Sequence, residues 1–231
     1  MEILERALAR GRRALTEYEG KKLLAAYGIP VTREVLAENA EAAASAAEEI
    51  GYPVAVKGSG VELMHKSESG VVFVNVGSRQ AVLEACGQIK ERLGASFEGI
   101  LVQEMVPGKR ELVMGLHREP QFGACVMLGI GGVLTEIIDD TSFRIAPFDQ
   151  AEALDMADQL RMKEVFSPFR GEAGVDMELL GRCLSALGRI GLDNPAVFEI
   201  DVNPLIVTPD GNMKAVDALV VVKDGEDAAD H

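Results

Sequence analysis

Tryptophan is absent from this 231-residue chain, and only three cysteines and three histidines occur in it. Aromatic residues make 5% of the total, too few for a stacking platform on single-stranded nucleic acid. Basic residues are also short: 23 Lys and Arg face 37 Asp and Glu, a net charge of −14. No basic excess is available to displace phosphate counterions, which argues against a nucleic-acid partner. Cys86, Cys125 and Cys183 are odd in number and widely spaced, with no CxxC pair. That excludes a disulfide framework and a zinc pattern, and it predicts a reducing cytoplasm. No apolar run approaches the roughly 18–20 residues that span a bilayer, and the charged start MEILERALARGRR lacks a signal-peptide core. The sequence therefore predicts a soluble cytoplasmic protein without a membrane partner.

What is present is an alternation of α and β signals. Ile3, Leu4, Ala7 and Leu8 lie at helical spacing, with Gly11 as a stop. Thr16 with Glu19 three residues on reads as a capping box opening a helix that Gly28 ends and Pro30 keeps from resuming. Strands are predicted at 31–36, 53–57, 71–76 and 99–104, with helices at 39–50 and 79–93 between them. Beyond residue 104 hairpin-like strands follow at 110–116, 122–128, 133–138 and 143–146. Helices at 149–163 and 176–191 come next, then strands at 197–202, 204–207 and 213–221. The mixture predicts an α+β fold with a boundary near 104. It predicts one subdomain over residues 1–104, another over 105–222, and a disordered acidic tail over 223–231.

Several side chains stand where chemistry needs them. Lys57 ends an apolar strand and runs into Gly58-Ser59-Gly60, where a ligand can approach the backbone; otherwise the lysine simply meets solvent. There is no GxxxxGK[ST], and Leu134 breaks GxGxxG in LGIGGV, so both familiar phosphate loops fail. Gly131 and Gly132 still make a turn able to sit close to a polyphosphate. Asp201 and Asn203 alternate onto one strand face. A hairpin turning at Pro209-Asp210-Gly211 brings Asp217, in the strand beyond, opposite Asn203. Three oxygen donors on one face suit Mg²⁺, or else form a solvated polar edge. His65 lacks zinc-ligand partners. It can serve as a general base or as a nucleophile accepting phosphoryl, with Lys66 neutralising the transferred charge, or it is surface.

The ordered stretches TEYEGKKLLAAYGIPV, GYPVAVKGSG, HKSESG, GILVQEMVPGKRELVMG, LGIGGVLTEIIDDTSFRIAPF, FRG and FEIDVNPLIV…AVDA resemble the ATP-grasp subunit of NDP-forming acyl-CoA synthetases. These are the ADP-forming acetyl-CoA synthetases, related to the β subunit of succinyl-CoA synthetase. The resemblance covers roughly residues 14–222. It implies an ATP-grasp fold, two α+β subdomains with a nucleotide cleft between them, binding ATP or ADP with Mg²⁺.

By the resemblance Lys57 holds nucleotide phosphates, and the Gln103-Glu104-Met105-Val106 hinge meets adenine. Glu111 reaches the nucleotide, and Asn203 and Asp217 are magnesium ligands. Asp201 helps orient a phosphohistidine, and His65 relays phosphate to ADP. The implied reaction is acyl-CoA + ADP + Pi ⇌ carboxylate + CoA + ATP. This chain has no room for the CoA-binding α portion, which implies a partner subunit, plausibly in α2β2. Arg144 either clamps phosphate or pairs with a structural carboxylate, and Arg170 is left open. Where the family carries a glycine pair after HKS, this sequence has Gly70-Val71. Two alternatives stand beside this reading: a nucleotide-sensing ATP-grasp protein, which Val71 favours, and a carboxylate–amine ligase.

Overall fold

The computed structural model describes residues 2–60, 70–132 and 140–223. His65, Lys66, Asp139, the strand expected at 133–138 and the tail from 224 onward lie outside them. The chain forms two compact units: residues 32–105, and residues 1–31 together with 106–231.

The unit 32–105 is a four-stranded antiparallel sheet with two helices on one face. Its strands are β1 (Glu34–Ala37), β2 (Val54–Ser59), β3 (Val72–Val76) and β4 (Gly99–Glu104), ordered β1-β4-β2-β3. Helices α3 (Ala40–Ile50) and α4 (Arg79–Leu93) cover it. Asn39 caps α3 by accepting from the Ala42 amide at 2.9 Å, and Gly51 ends it at φ +95°. Ala43, Ala44, Ala46 and Ala47 of α3 pack on Val54, Val56, Ile100 and Val102. Gly58 is required by that packing: a Cβ there would lie 2.7 Å from Leu93 Cδ1 and 3.0 Å from Ile89 Cγ2.

The other unit is built on an antiparallel sheet ordered β10-β8-β5-β6-β7, with β9 also paired to β8. These strands are β5 (Arg110–Glu119), β6 (Gly123–Ile130), β7 (Thr141–Ile145), β8 (Val197–Val207), β9 (Met213–Ala215) and β10 (Leu219–Val222). Helices α5 (Gln150–Asp158) and α6 (Met177–Asp193) pack on one face. Leu112, Met114, Leu116, Val126, Leu128, Ile200 and Val202 meet Leu180, Leu184 and Leu187 there. Arg118 ties the end of α6 to β8, donating to the carbonyls of Gly191, Asn194 and Val197.

The structure corrects the domain assignment. Helices α1 (Glu2–Ala9) and α2 (Glu17–Ala26) belong with the second sheet, not with residues 32–104. Leu15 N donates to Val220 O, Val222 N to Arg13 O, and Ala215 N to Pro30 O. Leu4 and Ala7 of α1 and Leu23 and Leu24 of α2 are buried in the core of this unit, with α2 against β10. The capping box that opens α2 forms as predicted: Glu19 N reaches Thr16 Oγ1 and Thr16 N reaches the Glu19 carboxylate.

Two element boundaries also differ. The helix predicted over 149–163 stops at Asp158, because buried Asp140 accepts from the amides of Arg161 and Met162 and turns the chain. Burial alone would raise the Asp140 carboxyl, but those two amides and the Arg161 guanidinium outweigh it and hold it low. The strand predicted over 213–221 is broken at residues 216–218, so Asp217 sits between β9 and β10 rather than in a strand.

Candidate functional site

In the unit 32–105, Lys57 and Gln103 project from β2 and β4 on the face opposite α3 and α4. Val56 pairs with Val102 on the helix face, while Lys57 pairs with Leu101 and Ala55 with Gln103 on the other. Both Lys57 and Gln103 are buried. Gly58 has a packing role that the sequence did not show. Its amide donates to Val71 O at 2.9 Å and its missing side chain makes room for α4, so packing accounts for this glycine.

Glu104 is held by Arg33. One carboxylate oxygen accepts from Arg33 N and the other from Arg33 Nε, both at 2.9 Å, and Glu104 N donates back to Arg33 O. The side chain therefore fixes the end of β4. Met105 is the last residue of this unit and Val106 the first of the other. Sequence reasoning missed Arg33, whose separation of 71 residues from Glu104 gives no local signal.

In the other unit, register assembles the oxygen donors. Leu205 pairs with Ala215, Ile206 with Lys214 and Val207 with Met213 across the β8–β9 hairpin. Beyond the break Leu219 pairs with Asp201 in the same register. Asp217 accordingly falls opposite Asn203, and Val216 N donates to Pro204 O at 3.0 Å beside them. Asp217 Oδ1 also accepts from Ala218 N at 2.8 Å.

Glu199, Asp201 and Asn203 alternate with the core residues Ile200 and Val202 and so share the face away from α5 and α6. Burial first, then the carboxylates of Glu199 and Asp217, push the Asp201 carboxyl above its usual range. A face that crowds negative charge in this way suits a cation. Among the described residues no three His, Cys, Asp or Glu side chains are grouped to hold a metal alone. One carboxylate and one amide oxygen suit Mg²⁺, which takes the rest of its shell from water and phosphate.

Glu111 sits on the same open face at the start of β5. Gly131 N donates to Glu111 O at 2.7 Å, and a Cβ on Gly131 would lie 2.9 Å from the Glu111 carbonyl carbon. Gly132, at φ +87°, lies against the Glu111 carboxylate. Only glycine lets this turn close over Glu111. A cavity of about 400 Å³ lies on the same face, lined by residues that include His117, Met127, Phe143, Glu199 and Asp201.

Of the two alternatives for Arg144, the structure shows the pairing with a structural carboxylate. Arg144 pairs with core residue Val126 across β6 and β7, so it projects to the helix-covered face, away from Asp201. Its guanidinium binds Asp155 and Gln159 of the α5 segment. Asp140 likewise is committed to the chain turn. Arg170, at φ 49°, lies over the Phe169 ring.

Residues 6–222 match the family model described as ATP-grasp domain. Over 226 residues the chain is 37% identical to the beta subunit of ADP-forming acetate–CoA ligase I of Pyrococcus furiosus, covering 96% of this chain and 97% of that one. Over 214 residues it is 39% identical to ADP-forming acetate–CoA ligase I of Archaeoglobus fulgidus. That match covers 91% of this chain and spans 31% of the relative's length. Among solved structures it resembles the dinucleotide forming acetyl-coenzyme A synthetase 1 of Ca. Korarchaeum cryptofilum, determined with coenzyme A, Ca-AMPCP and HgCl⁺. The TM-score is 0.91 at 40% identity, covering 96% of this chain and 99% of that one. With an ATP-grasp match running from residue 6 to 222 and a beta subunit aligned over nearly its full length, this chain belongs to the ATP-grasp family, alongside the beta subunits of the ADP-forming acetate–CoA ligases.

Proposed function

We propose that this chain is the nucleotide-handling β subunit of an ADP-forming acyl-CoA synthetase. It passes a phosphoryl group between a phosphohistidine and Mg·ADP within the reaction acyl-CoA + ADP + Pi ⇌ carboxylate + CoA + ATP. The observation that carries this reading is the alignment, over 96% of the chain, with a relative that is itself a beta subunit. That naming implies an α partner, which binds CoA and forms the acyl phosphate; an α2β2 assembly follows as the simplest pairing. Three free cysteines suit a cytoplasmic setting, and no described helix is long and apolar enough to cross a membrane.

Lys57 neutralises nucleotide phosphates, and the backbone of Gln103, Glu104, Met105 and Val106 reads the base. Glu111, under the Gly131-Gly132 turn, positions the nucleotide. Asn203 and Asp217 hold Mg²⁺, which when bound draws charge from the phosphate oxygens. On His65 the imidazole nitrogen accepts phosphoryl, and Lys66 offsets the added negative charge. Transfer to ADP then breaks the P–N bond and forms a P–O bond to its terminal phosphate oxygen. Asp201, beside the open cavity, orients the incoming phosphohistidine.

The sensing alternative rested on Val71. That side chain is fully buried in the core of the unit 32–105, so packing accounts for it. The test is calorimetric titration of ADP with and without Mg²⁺. Wild type binds in a metal-dependent way, and Lys57→Ala and Asp217→Ala each weaken binding by about tenfold or more. Metal-independent binding untouched by both substitutions would sink the assignment.

A further inference from the structure

Lys21 and Glu17 are 0% and 4% exposed, a fully buried ion pair on α2 with 2.8 Å between Lys21 Nζ and Glu17 Oε1. Burying two charges is costly, and apolar side chains of like size would commonly serve stability as well or better. The pair therefore needs a reason beyond holding the helix down. Lys21 Nζ supplies one: it donates at 3.1 Å to the carbonyl of Val216, the residue immediately before Asp217.

The surrounding contacts converge on the same short segment. Residues 216–218 belong to no strand and so lack the ladder that fixes their neighbours. The leading part of the chain brackets them instead. Val31 bridges Ala215 on one side, while Ala14 bridges Val221 on the other. Between these, α2 lies so close that a Cβ on Gly20 would stand 3.2 Å from Val220 Cγ2 and 3.4 Å from Ala218 O. Lys21 reaches into the gap between the two bridges. Val216 is held from both directions, its carbonyl by Lys21 and its amide by Pro204 O.

We propose that the buried Glu17–Lys21 pair is a positioning device for the cation ligand Asp217, fixing the peptide that carries it opposite Asn203. This rests on the reading of Asn203 and Asp217 as the cation site. Glu17 orients Lys21, Lys21 clamps the Val216 carbonyl, and the peptide that enters Asp217 is thereby set before any ligand arrives. Neither residue touches the cation. Their effect is on its affinity through the ligand, as partners one bond removed from a metal commonly act.

The experiment compares wild type with the double variant Glu17→Met/Lys21→Met, which removes both charges and leaves neither unpaired. Mn²⁺ binding in the presence of ADP is read by electron paramagnetic resonance, with ADP binding without metal and thermal unfolding measured alongside. The expected result is Mn²⁺ affinity lowered about tenfold or more, with metal-free ADP binding and Tm close to wild type. A purely structural pair would move Tm and leave Mn²⁺ affinity alone. Wild-type Mn²⁺ affinity in the folded double variant overturns the inference and leaves the cation site standing. Failure of the wild type itself to bind Mn²⁺ with ADP overturns the cation site and this inference with it. If the double variant does not fold, Glu17→Gln carries the test: weakened Mn²⁺ binding supports the device, and unchanged binding overturns it.

Discussion

Asp201 shows how one side chain can be set against the stability of its own fold. Its carboxyl is raised by burial and by the charges of Glu199 and Asp217, so the native state keeps that proton to a higher pH than the unfolded chain does. Between the two values the native state binds more protons, and stability falls as pH rises through that interval. Above it the full penalty remains. Asp201→Asn is therefore expected to raise Tm at neutral pH and to flatten the decline in Tm from mildly acid to neutral pH, measured by thermal denaturation across that range. Arg144 teaches the opposite lesson. In SFRIA the apolar residues Phe143 and Ile145 are 61% and 50% exposed, while Ser142, Arg144 and Ala146 turn toward the helices. Alternation in the sequence names two faces without saying which is inside, and here the apolar set is outside. That inversion is why the sequence left Arg144 between a phosphate and a structural carboxylate, which is Asp155.

Elements were legible where local chemistry sets them. The capping box at Thr16 and the turn at Pro209-Asp210-Gly211 with the register it imposes are both readable from adjacent residues. What local reading could not supply was the break at 216–218, because the leading segment that replaces the strand ladder there lies nearly 200 residues away in sequence, 195 between Lys21 and Val216. At Gly58 a packing constraint was illegible for a similar reason: the α4 side chains that leave no room for a Cβ lie about 30 residues further on. Gly58→Ala should force Leu93 and Ile89 aside and lower stability by about 1–3 kcal/mol, seen as a reduced urea midpoint. A neutral outcome would mean that α4 retreats freely.

The described residues form two cores, one around Leu112, Leu184 and Ile200 and one around Val56, Val82 and Ile100. The sequence placed the change of texture near residue 104 but assigned residues 1–31 by proximity along the chain, which is the wrong guide when a helix packs on distant strands. Two cores predict separable opening. Arg118→Met removes three hydrogen bonds between β5, α6 and β8, at a cost of about 1–3 kcal/mol. Amide exchange should accelerate in residues 2–31 and 106–223 and stay unchanged in β2 and β4, as mass spectrometry of exchanged peptides would show. Acceleration of both regions alike would mean that they unfold as one.

The placement of α2 against β10 also orders events in time. Residues 13–31 leave the ribosome long before residues 215–222, the strands they pair with. Residues 32–105 hold all four strands of their sheet and can close while synthesis continues. The leading helices must wait through that whole interval with their apolar side uncovered. The segment bearing Asp217 is thus completed by a part of the chain made well before it, so a product interrupted before residue 215 lacks the placement of Asp217 opposite Asn203 even when its four-stranded unit is already folded.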